Sequence, residues 1–455
     1  MGKRARSLIR FTCLLVLGTL AGCSGSAPAR PGEPDLVLFD GQPRRGLQVV
    51  ALAPDTEQVL AGDAVSADHA LARRFPGSAI GVRRVAGPGG DEGGALALDW
   101  RAIWKSGVRL QGAPLDLRPF LAGGTLAFDL KVDGLATGGI VFKVGCGPDC
   151  ERQVSYVVAG RAAAGQGWRR VVLSMACFVR DGDDMHAVER PFALEGTGSG
   201  AISVANVALA RTGTPNTPCP DWRTVAVTPA TLDESWSLDW WLPRHRQKLA
   251  EVARMRAEGR PPQLVFIGDS ITQGWEKEGA PVWRQYYARH DALGLGFGGD
   301  RTENVLWRLQ HGAVDGIDPK VAVLMIGTNN TGLRADFPAT TVAGIRRNLD
   351  ELRRRLPRTR ILLLAIFPRD ATPDGPARRT NDRINALLPA LADGERVSYL
   401  DINAAFLDQE GRLSNDVMPD LLHPNARGYA AWATAMQPAL GRLMALPRLV
   451  APVLP

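Results

Sequence analysis

Five short apolar runs divide the C-terminal part of the chain, and stretches of helical composition separate them. The runs are Leu264–Ile267, Leu293–Phe297, Val321–Ile326, Ile361–Phe367 and Val397–Leu400. Residues 343–356 and 380–391 are helical stretches between runs, and residues 425–443 form the last one. Buried strands that alternate with helices are typical of a parallel sheet that is covered on both faces. We therefore predict an α/β domain with a five-stranded parallel sheet over residues 243–447.

Polar blocks follow these predicted strands, at the edge of the sheet where ligands bind in such folds. Ser270 follows the first strand in the sequence GDS, and GFGGD at residues 296–300 follows the second. Asn329 lies in GTNN after the third strand, and Asp420 and His423 precede the last helix. The blocks supply a hydroxyl, glycine backbone amides, a carboxamide, a carboxylate and an imidazole. Acyl transfer requires these groups as nucleophile, base, orienting group and oxyanion donors.

The four blocks, in this order, resemble those of SGNH (GDSL-type) hydrolases over about residues 260–445. GFGGDRTENVLWRL and IGTNN are most similar to the subgroup that includes platelet-activating-factor acetylhydrolase catalytic subunits and many bacterial carbohydrate esterases. The resemblance implies a three-layer, flavodoxin-like α/β fold and a serine esterase that forms an acyl-enzyme. No step of this chemistry requires a metal or a cofactor.

The resemblance also implies a role for each residue that matches the motifs. Ser270 would be the nucleophile, His423 its general base, and Asp420 the group that orients His423. The backbone amides of Ser270 and Gly299, with the side chain of Asn329, would form the oxyanion hole.

Two features near these blocks allow other interpretations. Residues 294–299 match G-x-G-x-x-G, a dinucleotide-binding pattern, but a lone match is weak and this strand is not the first of the sheet. Gly294 also stands where the resembled family often has asparagine. Trp240 and Trp241 would suit a sugar-binding platform, although aromatic pairs beside a linker more often seal a domain junction.

The N-terminus is predicted to be a lipoprotein export signal over residues 1–23. Basic residues precede a short apolar run at residues 11–17, which is too short to span a bilayer. Leu20-Ala-Gly-Cys23 resembles a lipobox, which implies cleavage before Cys23 and acylation of its thiol. The residue after Cys23 is Ser24, and not the aspartate that is linked to retention of lipoproteins in the inner membrane. We expect an anchored protein of the bacterial envelope, on the outer membrane, with residues 24–35 as a flexible tether.

Four cysteines remain beyond the predicted signal: Cys146, Cys150, Cys177 and Cys219. Export to an oxidising compartment favours disulfides over free thiols. A metal site at Cys146-Gly-Pro-Asp-Cys150 would require nearby histidines, and the sequence has none beside this turn. We favour Cys146–Cys150 and Cys177–Cys219, although four cysteines permit three pairings.

Residues 36–212 contain short β-like runs between glycine-rich turns. Examples are residues 95–100, 124–131, 139–144 and 168–174, several of which alternate apolar and polar side chains. This pattern predicts an antiparallel β-sandwich or jelly roll. GGTLAFDLKV, the cysteine turn and GWRRVVLSMACFV resemble the galactose-binding-like β-sandwich of some bacterial family 3 β-glucosidases. The resemblance implies a carbohydrate-associated domain, with a spacer that binds nothing as the alternative. Residues 213–242 are predicted to be a linker.

The formal net charge of +7 does not indicate a nucleic-acid partner. Arginines are scattered among acidic residues, with no basic block beyond the N-terminus, which is typical of a solvated surface. We predict a carbohydrate O-acetyl esterase whose substrate is an acetylated carbohydrate. The alternatives are a lipid-directed short-chain acyl hydrolase and a non-catalytic glycan-binding lipoprotein.

Overall fold

The computed structural model describes residues 34–54, 56–61, 64–66, 77–147 and 150–450. The predicted signal peptide with Cys23, and most of the predicted tether, lie outside these residues. Within the described ranges, no helix is both long and apolar enough to cross a membrane. The strands form two sheets, an antiparallel one followed along the chain by a parallel one.

The antiparallel sheet has eleven strands. They are β1 (Leu36–Phe39), β2 (Leu47–Ala53), β3 (Thr56–Val59), β4 (Ala64–Ser66), β5 (Ala79–Val85), β6 (Ala95–Gly112), β7 (Thr125–Thr137), β8 (Ile140–Gly145), β9 (Glu151–Ser155), β10 (Trp168–Ser174) and β11 (Phe192–Ala210). The connections include helix α1 (Val157–Ala163) and 3₁₀ turns at Arg118–Phe120 and Met175–Phe178.

The two longest strands, β6 and β11, organise this sheet. β11 pairs with β6 along most of its length, with β8 near its start and with β7 near its end. Register shifts between Gly196 and Gly200 mark bulges, which bend a strand and let it change partners. Apolar side chains from these strands fill a single core around Phe128, Phe142 and Phe192. The predicted antiparallel architecture is confirmed.

Two disulfide bonds fix loops of this unit. They join Cys146 to Cys150 and Cys177 to Cys219, which are the pairings favoured from the sequence. Asp183 lies beside the first bridge, but it pairs with Arg152, and the bonded sulfur atoms are not thiolates that a metal would need. The second bridge closes a sequence separation of 42 residues and ties the start of the interdomain segment to the sheet unit. A loop of this length predicts a stabilisation of roughly 3–4 kcal/mol.

The parallel sheet has five strands in the order β13-β12-β14-β15-β16. Their bounds are β12 (Leu264–Gly268), β13 (Leu293–Gly296), β14 (Val321–Met325), β15 (Arg360–Leu364) and β16 (Val397–Leu400). The helices are α2 (Trp241–Ala257), α3 (Ser270–Gln273), α4 (Ala280–Tyr286), α5 (Thr302–Gln310), α6 (Thr328–Leu333), α7 (Pro338–Arg355), α8 (Pro376–Asn385) and α9 (Ala426–Ala445). Short 3₁₀ turns lie at Val225–Val227, Gly274–Glu276, Ala288–His290, Leu388–Leu391 and Asn403–Phe406.

Helices cover both faces of this sheet, as predicted. Ile345 and Leu349 of α7 belong to the core on one face, and Trp432 and Met436 of α9 belong to the core on the other. β15 ends at Leu364, earlier than the predicted run. The Asn385 side chain takes the place of a neighbouring strand there, because it accepts from the N–H and donates to the C=O of Ile366, both at 2.8 Å.

The segment predicted as a linker, residues 213–242, packs against the parallel unit. The Thr302 hydroxyl donates to the carbonyl of Ala226 at 2.9 Å, and the Asn304 side chain donates to the carbonyl of Ala230 at 3.0 Å. Helix α2 begins at Trp241, two residues before the predicted start at Pro243. The segment therefore reaches the loop after β13, which carries part of the candidate site.

Candidate active site

Ser270 lies where β12 ends and α3 begins. The preceding Asp269 caps this short helix, since its carboxylate accepts from the N–H of Ile271 at 3.0 Å. A Cβ atom on Gly268 would lie 2.2 Å from Oγ1 of Thr272 and 2.4 Å from the carbonyl oxygen of Met325. Only glycine fits at this position, which explains why the strand turns so sharply into a helix that displays the serine.

Ser270, His423 and Asp420 form a hydrogen-bonded chain. Oγ of Ser270 lies 2.8 Å from Nε2 of His423, and Nδ1 of His423 lies 2.6 Å from Oδ2 of Asp420. The other carboxylate oxygen accepts from the backbone N–H groups of His423 and Leu422, at 2.7 and 3.1 Å. These bonds fix the carboxylate, and the carboxylate fixes the imidazole. The arrangement is that of a nucleophile, a base and a group that orients the base.

The environment of Asp420 keeps its carboxylate ionised. Partial burial raises the pKa, but the hydrogen bonds from His423 and Leu422 outweigh it and hold the pKa below its usual range. The side chains of His423 and Asp420 are 43% and 57% exposed, so this end of the site opens to solvent.

The predicted oxyanion donors Gly299 and Asn329 follow β13 and β14, the two strands that flank β12 and Ser270. Gly299 has a φ of +77°, and its loop is tied to α3 because the N–H of Gly298 donates to the side chain of Gln273 at 2.7 Å. Asn329 is 7% exposed, and one of its side-chain N–H groups donates to the carbonyl of Asp300 at 3.0 Å. The second side-chain N–H remains available for an oxyanion. Among the described residues, the backbone N–H groups of Ser270 and Gly299 have no hydrogen-bond partner.

Known proteins are similar to the part of the chain that carries these blocks. The profile of the GDSL-like Lipase/Acylhydrolase family matches residues 266–431. Platelet-activating factor acetylhydrolase IB subunit alpha1 of Pongo abelii is 35% identical over 206 residues, which are 45% of this chain and 84% of that protein. The chain belongs to the GDSL-like lipase/acylhydrolase family. The alpha2 subunit of Rattus norvegicus is 33% identical over 209 residues, 45% of this chain and 85% of that protein.

A second family profile and a solved structure are also similar to parts of this chain. A galactose-binding domain-like profile, Exop_C, matches residues 90–209, within the antiparallel unit of this GDSL-family protein. A solved structure described as a putative platelet activating factor from Streptococcus pneumonia is 24% identical. It covers 44% of this chain and 95% of its own, with a TM-score of 0.36.

Sequence reasoning missed a buried ion pair in this GDSL-family protein. The pair lies beneath the loop that follows β13 and carries Gly298 and Gly299, which we name the oxyanion loop. Asp300 and Arg308 are both fully buried and lie 2.7 Å apart, and the indole of Trp241 donates to Asp300 at 2.6 Å. Burial raises the pKa of Asp300 to about 6, while Arg308 and the indole N–H of Trp241 favour the charged carboxylate and oppose the rise. Arg308 lies on α5, eight residues after Asp300. This spacing was the only sign of the ion pair in the sequence.

Packing explains Gly296, the second glycine of the 294–299 pattern. A Cβ atom on Gly296 would lie 2.1 Å from the backbone nitrogen of Gln273, so this position permits no side chain. Gly294, where the family often has asparagine, lies within β13 opposite Phe266, and a Cβ atom there would meet only Glu276, at 3.5 Å. At Gly296 the G-x-G-x-x-G match therefore reflects close contact between β13 and α3.

Replacing Asn329 by alanine should lower kcat by about 10²- to 10³-fold, the range for loss of one oxyanion donor. The effect should fall on kcat more than on KM, because the donor acts on charge that develops in the transition state. Asn329→Asp, which keeps the shape but offers an acceptor, should be equally impaired. Steady-state rates on a small ester, with melting curves of both variants, check this. A loss confined to KM would contradict it.

Asp269 should make stability depend on pH. Burial raises its pKa to about 7, whereas an unfolded aspartate titrates at about 3.9. The folded state binds the proton more tightly, so this group's contribution to stability falls as pH rises from about 4 to about 7. Asp269→Asn keeps the cap without the charge and should raise the melting temperature by several degrees, roughly 2–4 °C per kcal/mol, at pH 8. The gain should shrink at pH 5, and equal gains at both pH values would refute this.

Proposed function

We propose that the protein is a serine esterase that removes O-acetyl groups from carbohydrates. The observation that carries the esterase assignment is the chain from Ser270 to Asp420 through His423, at 2.8 and 2.6 Å. Membership of an acylhydrolase family supports a carboxylic ester hydrolase. The carbohydrate assignment is supported by the galactose-binding domain-like match over residues 90–209.

The reaction follows from the groups in place. Nε2 of His423 accepts the hydroxyl proton of Ser270 as Oγ attacks the ester carbonyl carbon. The N–H groups of Ser270 and Gly299 and the side chain of Asn329 stabilise the resulting oxyanion. The tetrahedral intermediate then collapses, and the sugar hydroxyl leaves with the proton from His423. Water, deprotonated by the same imidazole, hydrolyses the acetyl-serine and regenerates the enzyme.

The openness of the site favours a small acyl group. A long acyl chain would require an extended apolar groove, whereas an acetyl group needs little more than room beside the nucleophile. His423 and Asp420 are 43% and 57% exposed, which supports a shallow site at this end. A polymeric glycan with a protruding acetyl group would reach a nucleophile in such a site.

A lipid-directed short-chain acyl hydrolase is the second candidate. It is supported by the platelet-activating factor acetylhydrolase relatives, at 33–35% identity, and by the predicted lipid anchor at Cys23. We propose that this anchor holds the protein on the outer membrane of a bacterial envelope. A non-catalytic glycan-binding role is disfavoured by the complete set of catalytic groups.

The test is acetate release by the purified full chain. The substrates are acetylated xylan, acetylated xyloglucan and a phospholipid with a 2-acetyl group, each compared with the Ser270→Ala variant. Serine-dependent release from the glycans alone is the expected result. Release from the phospholipid alone would replace the carbohydrate assignment with the lipid one, and no release above the variant would refute both.

A further inference from the structure

An exposed tryptophan borders the proposed oxyanion hole. Trp236 lies in the interdomain segment just before α2 and is 48% exposed. A Cβ atom on Gly299 would lie 2.1 Å from Cη2 of Trp236, so the indole packs directly on the glycine backbone. Because the N–H of Gly299 is a proposed oxyanion donor, the ring lies beside a residue of the proposed oxyanion hole.

A second indole extends this surface. Trp240 lies one helical turn further on, and its ring is 6.2 Å from that of Trp236 with 20° between their planes. Its Nε1 donates to the carbonyl of Trp236 at 2.9 Å, and its Cη2 lies 3.5 Å from a Cβ position on Gly298. The two rings, which we name the indole pair, therefore flank both glycines of the oxyanion loop.

The indole pair is held in place before any ligand binds. The hydroxyl of Ser237, a buried residue between the two tryptophans, donates to the carbonyl of Leu232 and accepts from the N–H of Glu234, at 2.9 and 3.2 Å. Glu234 in turn pairs with Arg301, which follows the oxyanion loop. A surface fixed in this way loses little entropy when it binds a ligand.

Trp241 has a different role from its neighbour. It is 1% exposed and donates to Asp300, so it supports the loop from below. By sequence alone, Trp240 and Trp241 would suit a sugar-binding platform. Of these two, Trp240 lies beside the open surface, where it packs with Trp236. Packing on Gly299 involves the benzo edge of Trp236 around Cη2 and leaves the exposed part of the indole without a structural purpose.

We propose that the indole pair is a substrate subsite that stacks against the sugar ring carrying the scissile acetyl group. This inference rests on the esterase function proposed above and specifies how a glycan is recognised. The C–H face of a pyranose is flat and weakly apolar, which suits an exposed indole whose edge remains wet. A quaternary ammonium headgroup is instead bound in a cage of aromatic faces, whereas the two rings of the indole pair stack on each other, with 20° between their planes.

The first test measures binding without catalysis. Full chains that carry Ser270→Ala are titrated with acetylated xylooligosaccharides by calorimetry. Adding Trp236→Ala should weaken binding about tenfold, a typical loss for one stacked ring, and Trp236→Tyr should retain most of the affinity. Trp104→Ala is the matched control, since Trp104 lies on β6 of the other unit and is 59% exposed.

The proposal would be overturned by equal affinity with and without Trp236, by no glycan binding of the Ser270→Ala chain, or by an equal loss in the Trp104→Ala control. Binding of lysophosphatidylcholine in place of the glycan, with loss in Trp236→Ala, would also overturn it. Since the nucleophile is absent throughout, failure of the esterase function does not affect this assay.

A kinetic test separates the subsite from the catalytic groups. In the chain with Ser270 intact, Trp236→Ala should lower kcat/KM on acetylated xylooligosaccharides about tenfold more than on ethyl acetate. The loss on the oligosaccharides should reside mainly in KM, and Trp236→Tyr should retain most of the wild-type kcat/KM. Equal losses on both esters would show that Trp236 only supports the loop. Absence of Ser270-dependent hydrolysis of either ester would instead refute the esterase function.

Discussion

Replacing Ser270 by alanine should lower kcat by about 10⁴- to 10⁶-fold. Loss of the nucleophile in a serine hydrolase triad has a cost of this order, and the rate that remains comes from binding and the oxyanion donors. The variant should still fold, because within the described part of the chain the Ser270 hydroxyl makes one hydrogen bond, to His423. Acetate release under saturating substrate, with a melting curve, measures both.

The matched control for this substitution is Ser414→Ala. Ser414 is exposed and lies on the loop that leads to Asp420, where its hydroxyl accepts from the N–H of Asp416 at 3.1 Å. Its loss should leave the rate within about twofold. If Ser270→Ala kept more than a tenth of the wild-type rate, the nucleophile would have to be another group, and the proposed mechanism would be wrong.

The parallel sheet was predictable because burial on both faces leaves a clear trace in the sequence. Each central strand is a continuous apolar run, and Val321–Met325 is buried at every position. The strand ends were less predictable, since they depend on distant groups. β15 stops at Leu364 because Asn385, 19 residues beyond Ile366, hydrogen-bonds the backbone there.

The candidate site was predictable where short motifs carry it. Ser270, Gly299, Asn329, Asp420 and His423 could be named because each lies in a block with a characteristic spacing. The support beneath it was not, since contacts such as Trp241 to Asp300 join residues 59 positions apart. The place of Trp236 was also hidden, because it depends on how a segment that resembles a linker packs on the oxyanion loop.

Replacing Asp420 by asparagine should lower kcat by about 10³- to 10⁴-fold, the second-largest expected effect. The carboxylate accepts from Nδ1–H of His423 at 2.6 Å, which leaves Nε2 unprotonated and able to accept from Ser270. An asparagine amide can donate to Nδ1 and so favour the tautomer with the proton on Nε2, which blocks the base. The same substitution in a serine protease triad costs about 10⁴ in kcat with little change in geometry.

Asp416→Asn is the matched control for this change, since Asp416 is exposed, lies four residues away and makes no side-chain hydrogen bond within the described residues. The two variants differ only in which carboxylate becomes an amide, so a change in net charge affects both equally. Nitrogen-15 NMR of the His423 ring should show the proton on Nδ1 in the wild type and on Nε2 in Asp420→Asn. If Asp420→Asn kept its rate within tenfold while the tautomer changed, His423 would not be the base. If neither the rate nor the tautomer changed, Asp420 would not orient the imidazole. Solvent at the open end of the site would then have to orient His423.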